Sequence, residues 1–216
     1  GELGQEPRVQ EFVEHLQQVF EAVKRVLRQD GLLFLNLGDG SCYTPEVGAV
    51  KQKDAYLAPQ RTVLRLQESG WYVRNSIIWE KPNAMVTSVK DRFTPSYETI
   101  YMLSKSLRYY FDFKAVMEPT SDGLGRRRGR DVWHIPTSNR TGHTAVFPEK
   151  LVERCLLAAT RPGDLVLDPF SGSGTTLRVA QRMSRQAVGI EANQAYVDES
   201  RRTLAAVSTG DTDAPV

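Results

Sequence analysis

Apolar and polar residues follow two different periods along the chain, which predict helices and strands in alternation. From Val9 the apolar residues recur at helical spacing up to Asp30-Gly31, where the helix should stop. The almost continuously apolar run 32–37 follows and is typical of a strand that is buried on both faces. The same reasoning predicts a helix over 59–69 and strands over 72–80 and 97–103. This alternation predicts an α/β fold with a doubly wound, mostly parallel sheet.

Periodicity is lost between residues 112 and 142, where glycines and Trp133 accompany a basic cluster. The cluster consists of Arg126, Arg127, Arg128 and Arg130. We interpret this segment as an inserted, surface-lying recognition segment, and an ordinary solvated loop is the alternative.

Regular patterning returns after residue 147. It predicts helices over 148–160, 175–183 and 195–207 and strands over 164–168 and 187–190. Residues 208–216 carry no pattern and are expected to be disordered.

Composition limits the possible functions only moderately. The chain has 216 residues, of which 40% are hydrophobic, and a formal net charge of +2, so attraction of a polyanion must come from local clusters. Cys42 and Cys155 are far apart, which argues against a disulfide framework and a metal site. No apolar run is long enough to span a bilayer. We therefore expect a cytoplasmic protein without a metal ion.

The strongest candidate for chemistry is the sequence Asp168-Pro169-Phe170-Ser171-Gly172-Ser173-Gly174-Thr175-Thr176, which joins a predicted strand to a predicted helix. Such a turn binds ligands in open α/β sheets, and its glycines allow a close approach of the backbone. Leu177 stands where a dinucleotide fingerprint needs a third glycine, and the chain has no Gly-Lys-Ser/Thr phosphate loop. Glu191 ends the next strand, where its carboxylate could accept both hydroxyls of a ribose, and a helix-capping or surface acid is the alternative. These features favour an adenosine without a diphosphate.

With these residues the sequence resembles the bacterial and phage DNA methyltransferases that modify adenine N6 or cytosine N4, in the permuted order with the cofactor half last. The segment 168–176 is similar to the cofactor loop of that family, and Gly189-Ile190-Glu191 to its ribose-binding strand end. His143-Thr144-Ala145-Val146-Phe147-Pro148 resembles the segment that packs against the methionine part of the cofactor. Weaker similarities at 35–39, 78–83 and 103–106 resemble the target-base half.

The resemblance implies a Rossmann-like methyltransferase fold that binds S-adenosylmethionine and acts on double-stranded DNA, with a cognate restriction endonuclease as a possible partner. It implies a target-base half over 1–111, a recognition insert over 112–142, a cofactor half over 143–207 and a tail over 208–216. If the insert is the recognition segment, phosphate contacts to DNA are expected from Arg126, Arg127, Arg128 and Arg130. Trp79 is expected to flank the extruded base beside Asn36, although a core tryptophan is an equal alternative. The cofactor-binding residues that it implies are Asp168, Pro169, Phe170, Gly172, Gly174, Thr175, Thr176, Glu191, Thr144, Phe147 and Pro148.

The sequence departs from the family at the catalytic tetrapeptide, Asp/Ser/Asn-Pro-Pro-aromatic. It contains no Pro-Pro, and in the family this motif precedes the first helix, so the catalytic residues are expected upstream of Gly1. Two alternatives therefore stay open beside the methyltransferase. One is an inactive chain that binds only the cofactor or DNA, and the other is a methyltransferase that acts on RNA or a small molecule. The target base, the recognition sequence and the oligomeric state are not indicated.

Overall fold

The computed structural model describes residues 3–43, 50–137 and 147–208. The chain divides into two compact units. Unit 1 comprises Gly1–Glu80, Ser96–Tyr110 and Asp131–Trp133, and unit 2 comprises Lys81–Pro95, Phe111–Arg130 and His134–Val216.

Unit 1 contains a four-stranded sheet in the order β1-β3-β2-β6. The strands are β1 (Leu32–Leu37), β2 (Tyr72–Glu80), β3 (Tyr97–Ser104) and β6 (Val132–His134), the last of which reaches one residue into unit 2. β3 runs antiparallel to both β1 and β2, so β1 and β2 have the same direction. The expected α/β fold is confirmed, but the sheet is mixed, and the prediction of a mostly parallel sheet is wrong here. The segment between β2 and β3 contains no helix, so β3 returns beside β2 without the crossover that a parallel pair requires.

Where the structure describes unit 1, the sheet is accompanied by two amphipathic helices, α1 (Val9–Val26) and α2 (Ala58–Glu68). The buried residues of α1 recur at helical spacing along one face, from Val9 and Val13 to Phe20 and Val23. Val9 and Val13 form a core cluster with Ala58 at the start of α2. The apolar stripe read from the sequence is therefore the packing face of α1.

The described residues of unit 2 are built around two parallel strands, β7 (Leu165–Asp168) and β8 (Gln186–Gly189), with three helices. The helices are α3 (Glu149–Ala159), α4 (Thr175–Arg182) and α5 (Gln194–Ser208). Val152 and Leu156 of α3 pack with Val179 and Ala180 of α4 in one buried cluster. This β7-α4-β8 unit confirms the parallel pair that the sequence predicts for its second half.

In its described part, residues 112–137, the segment predicted as an insert contains three short strands that the sequence does not reveal. β4 (Glu118–Pro119) and β5 (Arg126–Arg127) form an antiparallel hairpin, and β6 pairs with β2. Trp133 on β6 is 6% exposed, so the prediction of a surface-lying segment is wrong at this strand. Strands of two or three residues are too short to show alternation.

Candidate functional site

The loop between β7 and α4 is anchored to the neighbouring strand β8. The two strands are in register up to the pair Asp168 and Gly189, and the Ile190 amide donates to the Asp168 carbonyl at 2.9 Å. The Ser171 amide then donates to the Ile190 carbonyl at 3.0 Å. The ends of both strands and the first half of the loop therefore form one continuous hydrogen-bonded edge.

Glu191 stabilises the same loop with both of its carboxylate oxygens. Oε2 accepts the Gly172 amide at 2.9 Å and Oε1 accepts the Asn193 amide at 2.8 Å. A carboxylate has about four acceptor positions, so each oxygen retains capacity for a ligand hydroxyl. Helix capping was the alternative for this residue, but α5 begins later, at Gln194. The half-buried carboxylate instead connects the glycine loop to the end of β8.

Asp168 turns the chain out of β7, because its Oδ1 accepts the Phe170 amide at 3.0 Å. This local turn is typical of aspartate. Phe170 is 46% exposed and Ile190, at the neighbouring strand end, is 57% exposed. Two accessible apolar side chains therefore accompany the two carboxylates of Asp168 and Glu191 at this edge.

Three glycines are required for different reasons. Gly172 and Gly174 have φ values of +50° and +86°, which side chains disfavour. A Cβ on Gly174 would overlap the Ser200 hydroxyl, whereas a Cβ on Gly172 would meet no heavy atom of the described residues within 4 Å. A Cβ on Gly189 would lie 2.8 Å from Leu177 Cδ1. Gly174 and Gly189 thus allow internal packing, and Gly172 leaves space above the loop.

The start of α4 lies inside the protein. Ser173 and Thr175 are 6% and 5% exposed, and the Thr175 hydroxyl accepts a hydrogen bond from Arg178 at 3.3 Å. Thr176 and Pro169 are half-buried. The first backbone amides of a helix lack carbonyl partners within that helix and favour polar or anionic groups. Arg178 was not identified from the sequence, although it contacts this loop directly.

The other expected cofactor residues lie at the start of α3 or outside the described residues. Phe147 packs against the core cluster of α3 and α4, and the buried Pro148 is the residue before α3. Thr144 lies outside the described residues, as does His143. Cys155 on α3 is buried, and desolvation raises the pKa of its thiol to about 12, so it has the character of an inert core residue.

The two residues expected at the target base belong to unit 1. Asn36 Nδ2 donates to Glu98 Oε2 at 3.0 Å, and Trp79 is the register partner of Glu98. Trp79 is 3% exposed and lies in the core, in agreement with the alternative stated for it. Its role at an extruded base stays a prediction.

Two arginines of the cluster, Arg127 and Arg130, lie near Glu118 on the β4-β5 hairpin, together with Arg154. Arg154 on α3 donates to Glu118 Oε1, and Arg130 Nε lies 3.5 Å from Oε2, with Arg127 Nε at 3.9 Å. Burial acts to raise the pKa of Glu118, but hydrogen bonds from Arg154 and the Arg130 amide, with their positive charges, hold it below its usual value. Arg126 and Arg128 are exposed, and Arg128 lies 5.3 Å from the centre of the Phe113 ring. Glu118 thus fixes one side of a basic surface.

The sequence model of the N6/N4 DNA methylase family matches residues 1–202. The chain belongs to this DNA methylase family. The type II methyltransferase M.Cfr9I of Citrobacter freundii is 44% identical to this methylase over 220 residues, which cover 91% of this chain and 72% of that protein. M.SmaI of Serratia marcescens is 39% identical over 226 residues, which cover 94% of this chain and 77% of that protein.

Solved structures agree with the methyltransferase fold of this methylase. The PvuII DNA methyltransferase, which is specific for cytosine N4, superposes with a TM-score of 0.77 at 22% identity. The superposed region covers 97% of this chain and 79% of that chain. A protein assigned as a DNA modification methylase from Thermus thermophilus, complexed with S-adenosyl-L-methionine, has a TM-score of 0.70 at 26% identity. That match covers 93% of this chain and 79% of the other.

The described residues of the methylase contain neither a group of three His, Cys, Asp or Glu side chains suited to a metal ion nor a helix able to span a membrane.

Proposed function

We propose that this methylase binds S-adenosylmethionine at the loop between β7 and α4 and transfers the methyl group to the exocyclic amine of adenine or cytosine in DNA. The observation that carries the cofactor assignment is the edge formed by Gly172 and Glu191. The loop amide donates to one oxygen of the carboxylate, and the space above Gly172 is open among the described residues. This edge suits a nucleoside that has hydroxyls but no diphosphate.

Each part of the cofactor has a candidate partner at this edge. Glu191 would accept the ribose hydroxyls, and Phe170 with Ile190 would flank the adenine, because both are apolar and accessible. Phe147 and Pro148 at the start of α3, with Thr144, would face the methionine part, as the resemblance implies. Asp168 and the α4 amides would complete the polar contacts.

The chain's own residues act by holding and orienting the reactants. S-adenosylmethionine supplies a sulfonium-bound methyl group, and its displacement by an amine needs alignment and exclusion of water more than acid or base catalysis. The polar tetrapeptide that the family places before the first helix would hold the target amine. In this chain Asn36 and Trp79, which lie in the half assigned to the target base, are the candidates for contacting that base.

DNA would be bound through the exposed arginines of the insert. Arg126, Arg128 and Arg130 are exposed, and guanidinium groups bind phosphates well. Relatives of this methylase are named type II methyltransferases, which supports a cytoplasmic role beside a cognate restriction endonuclease.

The test combines cofactor binding with methyl transfer. Calorimetry should detect binding of S-adenosylmethionine to the wild type. The Glu191→Ala variant loses the charge-assisted ribose bond and should bind about ten-fold more weakly or worse. The Asp168→Ala variant loses the turn at Phe170 and one polar contact, and it should also bind more weakly. Asp198→Ala, which removes an exposed acid on α5, is the matched control and should bind like the wild type. Equal affinity in all four proteins would refute the location of the site.

Transfer is measured with a labelled methyl group on unmethylated duplex DNA, transfer RNA and ribosomal RNA. Nucleoside analysis of the product distinguishes N6-methyladenine from N4-methylcytosine. Labelled DNA supports the proposal, and labelled RNA alone would refute the substrate class. Cofactor binding without transfer would refute catalysis by this chain and would leave the cofactor assignment standing.

A further inference from the structure

Arg178 lies beneath the proposed cofactor loop with almost no access to solvent. It follows the loop by one turn of α4, and its side chain is 7% exposed. Nη1 donates to the Ser173 carbonyl at 2.8 Å and to the Thr203 hydroxyl at 3.3 Å, and Nη2 donates to the Thr175 hydroxyl at 3.3 Å. Nε lies 3.7 Å from Glu149 Oε1. The guanidinium thus contacts the loop, α3, α4 and α5 simultaneously.

Burial makes these contacts obligatory for the folded state. A guanidinium group has five N–H donors in a fixed plane and stays charged, so it must find oxygen acceptors where water is excluded. The acceptors are consequently held in one arrangement around that plane. The peptide group after Ser173, between the two loop glycines, is fixed in this way by a short charge-assisted bond.

The partners of Arg178 belong to the segments that the proposed site uses. Ser173 and Thr175 are in the loop and at the first turn of α4, and Glu149 directly follows Phe147-Pro148. Thr203 lies on α5, the helix whose Ser200 packs against Gly174. One side chain therefore connects both segments that we assign to the cofactor.

Arg182 provides an internal comparison one turn further along α4. It also binds Glu149, at 2.7 Å, and it binds Glu153 at 2.9 Å, but its side chain is 45% exposed. Both of these hydrogen bonds go to α3 and not to the loop. Loss of Arg182 thus removes ion pairs between α3 and α4 without disturbing Ser173.

We propose that Arg178 is a positioning residue that sets the affinity of this methylase for S-adenosylmethionine by fixing the loop carbonyl of Ser173 and linking it to Glu149. The proposal rests on the proposed function, since it concerns the same site. Arg178 acts through the loop and touches neither the cofactor nor the DNA.

The experiment compares Arg178→Met, Arg178→Lys and Arg182→Gln with the wild type by calorimetric titration with S-adenosylmethionine and with S-adenosylhomocysteine. Temperatures are kept well below each variant's unfolding midpoint. The methionine variant keeps an unbranched apolar stem but has no donors, and it should bind both ligands about ten-fold more weakly or worse. The lysine variant keeps the charge and part of the hydrogen bonding, so it should recover part of that loss. Arg182→Gln should stay within about two-fold of the wild type.

Glu149→Gln keeps the proposal testable if the methionine variant does not fold. It weakens the pair with Arg178 as well as that with Arg182, so a loss of affinity beyond that of Arg182→Gln supports a contribution of the pair between Arg178 and Glu149. A folded methionine variant with wild-type affinity would overturn the proposal, as would a Glu149→Gln variant no weaker than Arg182→Gln. Absence of binding to the wild type would instead refute the proposed function.

Discussion

Gly174 should be needed for the stability of unit 2, and Gly172 for its ligand. Gly174 precedes α4 with φ +86°, and a Cβ there would overlap the Ser200 hydroxyl and lie 3.0 Å from Ser200 Cβ. Ser200 is 8% exposed, so it has little room to move. Gly172 shares the left-handed backbone, but a Cβ on it would contact no heavy atom within 4 Å among the described residues.

The magnitude of each substitution follows from two contributions. A non-glycine residue in the left-handed region costs about 1–2 kcal/mol, which applies to both positions. Overpacking costs about 1–3 kcal/mol more and applies only to Gly174. We therefore expect Gly174→Ala to lower the free energy of unfolding by about 2–5 kcal/mol and Gly172→Ala by about 1–2 kcal/mol.

The assay has to report on unit 2. The three tryptophans, Trp71, Trp79 and Trp133, all belong to unit 1, so their fluorescence does not follow the mutated region directly. Unfolding of unit 2 is therefore measured in urea by hydrogen exchange in peptides that cover β7 and α4. The double variant Gly174→Ala with Ser200→Ala should be about 1–2 kcal/mol more stable than the sum of the two single substitutions predicts. The reason is that Ser200→Ala removes the oxygen that the new Cβ overlaps.

The affinity for S-adenosylmethionine should follow the opposite order. Gly172→Ala, although milder for stability, should weaken binding by about ten-fold or more, because the new methyl group occupies the space above the loop. Two results would refute this reasoning. One is a free energy of unfolding for Gly174→Ala within about 0.5 kcal/mol of the wild-type value, which is the scale of a neutral surface substitution. The other is a Gly172→Ala variant that binds S-adenosylmethionine as tightly as the wild type.

Three further predictions concern charge and reactivity. Glu118→Gln should lower the free energy of unfolding at neutral pH. Because the folded pKa of Glu118 is lowered, the difference in this free energy between wild type and variant should shrink as the pH falls below about 4.3. A difference that does not change with pH between about 3 and 7 would contradict this. Arg126→Ala should reduce the slope of the logarithm of DNA affinity against the logarithm of salt concentration by about one, and an unchanged slope would remove Arg126 from the phosphate contacts. Cys155, with its pKa raised to about 12, should not react with a thiol reagent at about pH 8 until denaturant is added. Fast labelling of Cys155 in the native protein would contradict this and would show that α3 opens readily.

The alternation of elements could be predicted from the sequence because it depends on local periodicity. The buried residues of α1 and the limits of β1 follow directly from their spacing. Strand direction has no such local mark. A continuous apolar run indicates a buried strand, but the antiparallel placement of β3 depends on how the chain returns from β2.

The candidate site likewise has features that local sequence indicates and features that only the tertiary structure shows. Gly172, Gly174 and Glu191 could be recognised because a glycine turn and a carboxylate at the next strand end lie within one short stretch of chain. That Glu191 accepts the Gly172 amide could not be predicted, since it depends on the register of β7 and β8. The arrangement around Glu118 was likewise missed, because Arg154 comes from α3, 36 residues away.

Arg178 shows what the sequence could still have indicated. It stands in the first turns of α4 between Leu177 and Val179, both buried, and a positive charge near a helix N-terminus opposes the helix dipole. A cation that is disfavoured by the dipole and also desolvated requires an acidic partner, so the position alone predicts a carboxylate nearby. Its identity could not be predicted, because Glu149 approaches only once α3 has packed on α4. The need for a partner is therefore readable from local sequence, whereas the choice of partner is a property of the tertiary structure.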